Sequence, residues 1–143
     1  MGTTTFTGPV RSGPILNTSG NIIGTNIANV GNAVLAQSFA LTQDGATTDT
    51  TIVLPAGSRI LSVSFVATVA YSSSLDFTVT DTAGASASLV AAQTPALGVT
   101  AFVPSTLAEA TIWTATATDV RVNAVSAGAG AGEGTVTVTY VQN

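Results

Sequence analysis

The sequence predicts an all-β fold, a β-sandwich or jelly roll of about eight short antiparallel strands. Apolar and polar residues alternate with a period of two in several segments, most clearly at 61–69 and 135–141. This period is typical of a strand with one buried face. Glycine, proline and aspartate, which favour turns, separate the segments. No segment has the apolar spacing of a long helix, so strands are expected to make up the domain.

Residues 51–71 are expected to form the central pair of strands. The apolar run from Ile52 to Leu54 is followed by Pro55-Ala56-Gly57-Ser58, whose proline and glycine suit a chain reversal. In the segment after this turn, alternate apolar residues define one predicted face: Leu61, Val63, Phe65, Ala67 and Val69. The rest of the chain is expected to supply neighbouring strands.

Other strands follow from the same pattern of alternation and turns. Residues 33–43 are interpreted as a strand rather than a helix, because Asp44-Gly45 provides a turn directly after them. Further strands are predicted at 75–80, 85–92 and 99–103. Leu89 is the main apolar residue of the second of these, and Pro104 ends the third.

The C-terminal third is predicted to contain one helical turn, three strands and a loop. Ser105 would cap a turn of helix over 105–110 that leads to Glu109. The three strands are predicted at 111–118, 119–125 and 135–141. Between the last two, the glycine-rich residues 126–134 predict a flexible loop, because they offer few side chains to pack.

Residues 1–32 differ from the rest of the chain and predict an extended N-terminal arm, followed by a sandwich domain at 33–143. Glycine, proline and asparagine recur in the arm without a lasting period, yet apolar residues are spread through it, unlike an ordinary disordered tail. We expect it to lie against its own domain or a neighbouring subunit; an ordinary first strand with long loops is the alternative. The residues expected to make the contact are Phe6, Pro9, Val10, Arg11, Pro14, Ile15, Leu16, Ile22 and Ile23.

Charged residues are only 7% of the 143, and the net charge is -4, whereas about a quarter of residues are charged in ordinary domains. Without clustered lysine and arginine, the chain lacks the electrostatic pattern that binds nucleic acid. The long charge-free stretches, 12–43 and 82–108, are interrupted by glycine and proline, so we expect no membrane span. Weak repulsion between copies favours an assembly, and a homo-oligomer is expected, with a trimer preferred.

Residues that could carry chemistry are interpreted as structural. The chain has no histidine or cysteine. The aspartates that flank two predicted turns, Asp44 with Asp49 and Asp76 with Asp81, could in principle cleave glycosides or bind calcium. Turn aspartates more often accept hydrogen bonds from their own backbone. We therefore expect no enzymatic activity, no cofactor and no metal.

Threonine, aromatic and arginine side chains each have a binding and a structural interpretation. Threonine rows at 114/116/118 and 135/137/139 could bind ice or carbohydrate, but threonine is also favoured on half-wet strand faces. Aromatic residues at strand spacing more simply fill the core: Phe39, Phe65, Phe77, Phe102 and Trp113. Arg59 and Arg121 are expected to pair with carboxylates, and Arg11 to anchor the arm on a partner's carboxylate.

Three stretches of the chain together resemble one known family: TTTFTGPVRSG, VLPAGSRILSVSFVATVAY and GTVTVTYVQN. They resemble the decoration or cement proteins of tailed bacteriophages, which coat an icosahedral head. The resemblance implies a virion protein on the outer surface of the capsid, whose arm contacts the major capsid protein and which stabilises the head. The alternative hypothesis is a head-fibre or adhesin-like module, in which loops at 93–98 and 126–134 would bind a host glycan or receptor.

Overall fold

A computed structural model of the protein describes residues 15–18, 26–29, 34–114 and 116–142. These residues fall into two units, one before Val34 and one that begins with it. In the first unit, Ile15–Thr18 (β1) and Asn26–Asn29 (β2) pair antiparallel in a two-stranded sheet. The side chains of all nine predicted arm contacts lie outside the described residues, so those contacts stay a prediction.

The second unit is a sandwich of two four-stranded antiparallel sheets. Its strands, β3 to β10, are Val34–Asp44, Thr47–Leu54, Ser58–Val69, Leu75–Asp81, Ser86–Gln93, Gly98–Phe102, Val120–Ser126 and Ala129–Gln142. The first sheet has the order β3-β10-β5-β8 and the second sheet the order β4-β9-β6-β7. The chain therefore crosses between sheets at every connection except β6–β7, which is the topology of a jelly roll. The predicted all-β sandwich is confirmed.

Alternate residues from the two sheets meet in a single apolar core. Phe65, Phe77 and Phe102 are fully buried, and the rings of the last two pack edge to face with centroids 5.1 Å apart. Phe39 and Trp113 are partly buried against the same cluster. Burial of each large apolar side chain contributes roughly 1.5–3 kcal/mol. The aromatic residues therefore fill the core, as their spacing predicted.

The turn at Pro55-Ala56-Gly57 joins the two sheets, so the predicted central pair of strands is wrong. The strand before it, β4, is an edge of the second sheet, whereas β5 is an inner strand of the first. The Thr116 hydroxyl holds the turn by donating to the Pro55 carbonyl at 2.8 Å, and the Thr116 carbonyl accepts from the N–H of Gly57 at 2.8 Å. Alternation indicates which face of a strand is buried, but it does not identify the strand's partner.

Two residues on the predicted inner face of β5 point outward. β10 pairs with Ile60 and then with Ser62, so Leu61 is an extra residue and is 44% exposed. A second register shift near the end of the strand accompanies an exposed Val69. Each extra residue inverts the alternation of side chains, and a regular apolar pattern gives no sign of it.

A helix, α1 (Leu107–Thr114), occupies part of the strand predicted at 111–118, so that prediction is wrong. The helical turn predicted at 105–110 is the beginning of this longer helix. Ile112 and Trp113 pack against the core, and the Trp113 indole N–H donates to a carbonyl of β7 at 3.0 Å. Tertiary packing therefore overrides the strand propensity of the threonines in this segment. The threonine row at 114/116/118 consequently forms no strand face.

The N-cap of α1 is Thr106 rather than Ser105. The Thr106 hydroxyl accepts from the Glu109 N–H at 3.2 Å, and the Glu109 carboxylate accepts from the Thr106 N–H at 3.1 Å. This reciprocal pair is a capping box. The same carboxylate accepts from the Ser105 N–H at 2.6 Å and from the Ser88 hydroxyl at 2.7 Å, which ties α1 to β7. The pKa of Glu109 is lowered from 4.5 to about 2. The hydrogen bond from the Ser105 N–H is the largest cause, and the other donors lower the pKa further.

Most of the glycine-rich segment 126–134 is strand, so the predicted flexible loop is wrong. Glycine is needed there because other side chains lie directly on the strand. A Cβ on Gly130 would come within 2.7 Å of the amide carbon of Gln43, and one on Gly132 within 2.8 Å of the Tyr71 ring. The composition suggested flexibility, whereas in the structure the absence of side chains at these glycines lets Gln43 and Tyr71 pack closely against the strand.

Glu109→Gln should lower the melting temperature at pH 7 by about 4 °C or more, because an amide replaces a charge-assisted cap. The folded-state pKa of Glu109 is lowered, so its stabilisation is complete above pH 4.5 and is lost as the pH falls towards about 2. Thermal unfolding of both proteins between pH 7 and pH 2.5 checks this. A difference in melting temperature that stays constant over this range would contradict the assigned role.

Gly132→Ala should destabilise the domain by about 1–3 kcal/mol, because the added methyl group meets the buried Tyr71 ring. Gly128→Ala is the matched control: its Cβ would approach no atom more closely than the Ser73 hydroxyl, at 3.5 Å. Urea unfolding of the two variants measures the difference in the free energy of unfolding. Equal stabilities would show that the ring does not require glycine at position 132.

Candidate interaction surface

The two ends of the jelly roll are formed by different parts of the chain. Val34, which begins β3, pairs with Val141 near the end of β10, so the chain enters and leaves the sandwich at one end, the proximal end. Four connections meet at the opposite, distal end: β3–β4, β5–β6, β7–β8 and β9–β10. Backbone hydrogen bonds link the β5–β6 connection to the β7–β8 and β9–β10 connections. The distal connections therefore support one another.

The buried Gln43 side chain holds the distal end together. Its amide nitrogen lies 2.9 Å from the Ser72 hydroxyl, 2.8 Å from the Ser73 hydroxyl and 2.9 Å from the Gly128 carbonyl. Its amide oxygen accepts from the Ser72 N–H at 3.0 Å. Side-chain hydrogen bonds of this kind replace water for loop groups that would otherwise be buried unpaired. One side chain thus connects β3 to two separate loops.

The two loops that were predicted to bind a host ligand in the adhesin alternative differ in length from that prediction. Between β9 and β10 only residues 127 and 128 lie outside a strand, and the Gln43 network holds this short turn. The other predicted recognition loop, 93–98, is a connection between β7 and β8, and Leu97 within it is 71% exposed. Of the two proposed recognition loops, only 93–98 is therefore a loop of any length.

Carboxylates of the sandwich are mostly engaged within their own turns. Asp44 accepts from an N–H of the β3–β4 turn at 3.0 Å and from the Thr48 hydroxyl at 2.9 Å, and this backbone bond is the main reason its pKa is lowered. Asp81 accepts hydrogen bonds from two N–H groups of the β6–β7 turn at 2.9 and 2.8 Å. Asp119 accepts from the Ala56 N–H at 2.7 Å. The prediction that Asp44 and Asp81 are turn residues is confirmed, whereas the same prediction is wrong for Asp49 and Asp76, which lie within β4 and β6.

Arg121 and Asp49 form an ion pair at 2.8 Å on the outer face of the second sheet. Both side chains are well exposed, so the pair contributes less than about 1 kcal/mol. Arg121 also donates to Asn123, which donates to the Thr80 hydroxyl at 2.6 Å. The predicted carboxylate partner is confirmed for Arg121; within the described part of the chain, Arg59 is exposed and forms no ion pair.

The centre of the outer face of the first sheet carries small uncharged side chains across its four strands. We call it the small-residue face, and its members are Ala36, Ser38, Ala40, Ser62, Ser64, Val66, Val99, Ala101, Thr135, Thr137 and Thr139. The hydroxyls of Ser38 and Thr137 lie 2.9 Å apart across two strands. The threonine row at 135/137/139 thus forms the half-buried centre of a wider face, and the exposed Leu61 of β5 lies beside it.

Exposed apolar side chains concentrate beside β8, at one edge of the small-residue face. Leu97, Val99, Val103 and Leu107 are between 61% and 86% exposed. The edge strand itself is short and lies between two prolines, which limits its pairing with other strands. Grouped apolar side chains on a surface are typical of a contact with another protein.

The described residues contain no group of three or more histidine, cysteine or acidic side chains that could hold a metal ion. Helix α1, the helix of the described part, is too short to cross a membrane. An open groove of about 250 Å³ lies between the β6–β7 turn and α1, and its apolar lining includes Val79, Ala87, Ile112 and Val120.

Comparison with known proteins gives matches of fold. No protein-family model matches the chain, and no curated protein is similar to it in sequence. A chain in the capsid of Ralstonia phage GP4 matches with a TM-score of 0.54 and 18% identity, over 93% of this chain and 92% of that one. A chain in the acidic stable capsid structure of Helicobacter pylori bacteriophage KHP30 matches with a TM-score of 0.53 and 12% identity, over 76% and 86%. At these identities the likeness shows a shared fold.

Gln43→Leu should speed hydrogen exchange at the Ser72 N–H and in residues 127–128, because the network that holds them is lost. We expect a destabilisation of roughly 1–3 kcal/mol, the cost of leaving buried polar groups unpaired. Gln93→Leu is the control, since no side-chain hydrogen bond of Gln93 is found among the described residues. Unchanged exchange in Gln43→Leu would contradict the role assigned to Gln43.

Proposed function

We propose that this chain is a structural protein of a phage virion, a decoration or cement protein that binds the outer surface of the capsid and stabilises the head. The observation that carries the proposal is the jelly roll shared with chains of two phage capsid structures. The match to the GP4 chain covers nearly all of both chains. It therefore concerns the whole fold and not a single sheet.

We infer that the protein acts by binding rather than by catalysis. The carboxylates that could serve as acid or base are used as structural caps: Asp44 and Asp81 in turns, Glu109 at the start of α1. The edge at β8 and the centre of the outer face of the first sheet are uncharged and accessible. Surfaces of this kind favour burial against other proteins.

The arm, residues 1–32, is proposed to bind the major capsid protein. Its apolar residues would bury surface on the shell, and Arg11 would pair with a carboxylate there. Part of the free energy gained offsets the ordering of the chain. The sandwich is tethered at its proximal end, where Val34 begins β3. Repetition of this contact over many equivalent sites would stabilise the shell by avidity.

Binding of labelled protein to purified heads that lack it tests the proposal. Phe6→Ala and Arg11→Glu, each in the full chain, should weaken binding about tenfold or more, the usual effect of losing an anchor residue. Removal of residues 1–32 should abolish binding. Val53→Ala is the control, because Val53 is an exposed apolar residue on the second sheet and should leave the affinity unchanged.

Circular dichroism of each variant separates loss of binding from loss of folding. A folded protein without residues 1–32 that decorates heads with undiminished affinity would contradict the role of the arm. Failure of the intact protein to bind heads, together with reproducible binding to a glycan array, would favour the adhesin alternative instead.

A further inference from the structure

Two opposite charges on the outer side of the first sheet have no ionic partner within the described residues. Four of the described carboxylates accept hydrogen bonds in turns and caps, and Asp49 pairs with Arg121. Asp76 lies on the outer side of the second sheet. The remaining charged residues, Arg59 and Glu133, are both exposed and both border the small-residue face.

Arg59 and Glu133 lie at opposite ends of this face. Glu133 is at the distal end of β10, and Arg59 of the neighbouring β5 is opposite Val141 at the proximal end. At about 3.4 Å per residue, positions 133 and 141 are about 27 Å apart. The side chains between them are uncharged, and apart from Leu61 they are small. The face thus has a negative distal end, where Asp44 at the end of β3 is also exposed, a positive proximal end and a neutral centre.

We propose that the small-residue face binds the same face of a second copy of this chain. The two copies would be related by a two-fold axis that lies between the faces and runs across the strands. Such an axis reverses the strand direction, so it places Glu133 of each copy over Arg59 of the partner subunit. The two residues are on adjacent strands, about 4.8 Å apart laterally, within reach of their long side chains. The charges of the face are therefore complementary to those of its own copy.

The size of the face indicates a weak dimer. Four strands at about 4.8 Å spacing and about 27 Å in length give about 500 Å² per copy, or about 1,000 Å² in total. This area is at the lower end for specific complexes. We expect a dissociation constant of roughly 10–100 µM, since the centre contributes close contact without deep apolar anchors. The dimer would therefore form at high local concentration, and it departs from the trimer preferred on sequence grounds. The inference does not rest on the proposed capsid role.

Analytical ultracentrifugation of the full chain from about 1 to 500 µM tests the proposal. The wild type should pass from monomer to dimer as the concentration rises. Glu133→Arg or Arg59→Glu should each weaken the dimer about tenfold or more, because each dimer would then contain two contacts between like charges. The double variant E133R/R59E should regain dimerisation, because the two charges have only exchanged places. Sodium chloride at about 0.5 M should weaken the wild-type dimer by screening.

Two further variants distinguish this face from other contacts. Ala40→Arg places a bulky charge within the face and should abolish the dimer. Thr51→Arg places the same side chain on the exposed side of β4, in the second sheet, and should leave it intact. The proposal is overturned by a wild type that stays monomeric at the highest concentration, by an oligomer other than a dimer, or by a double variant as weak as the single ones.

Discussion

The close approach of two side chains to the glycine-containing half of β10 determines how the sandwich closes. The Tyr71 ring and the Gln43 side chain lie where side chains at Gly130 and Gly132 would otherwise be. The ring packs edge to face on Phe65 with centroids 5.3 Å apart, and burial raises the pKa of Tyr71 to about 12. β10 lies between β3 and β5, so this contact fixes the middle of the first sheet and the distal loops together.

Most of the few charged side chains of this domain form hydrogen bonds or ion pairs that define its turns, caps and connections. Glu109 begins a helix, Asp44 and Asp81 shape turns, and Asp119 secures the connection between the sheets. Local use of these groups leaves few charges on the outer side of the first sheet. Such a surface repels other copies or partners weakly, and this connects the economy of charge with a proposed role in an assembly.

The sequence predicted the fold class well, because alternation reports burial directly. It identified the buried faces of β6 and the last part of β10, and the turn roles of Asp44 and Asp81. It failed where a distant contact decides the local structure. The segment 111–118 is partly helical because its apolar residues pack on the core. Residues 126–134 are mostly strand because β10 pairs with β3 and β5, and the glycines leave room for Tyr71 and Gln43.

Candidate surfaces were harder to predict than the fold. Period-two patterns indicate which residues face outward, but the small-residue face exists only once β3, β10, β5 and β8 are placed side by side. Their pairing joins residues far apart in the chain. The location of Arg59 and Glu133 at opposite ends of this face depends on the same strand register. The division between an arm at 1–32 and the sandwich, by contrast, was predicted from composition alone and stays a prediction.

Electron cryomicroscopy of native heads that contain this chain would test the central claim, attachment to the outside of a shell through the arm, most directly. We expect jelly-roll density above the shell, joined to the major capsid protein by density for residues 1–32. Jelly-roll density inside the head, or contact with the shell through the distal end while residues 1–32 touch nothing, would contradict this account.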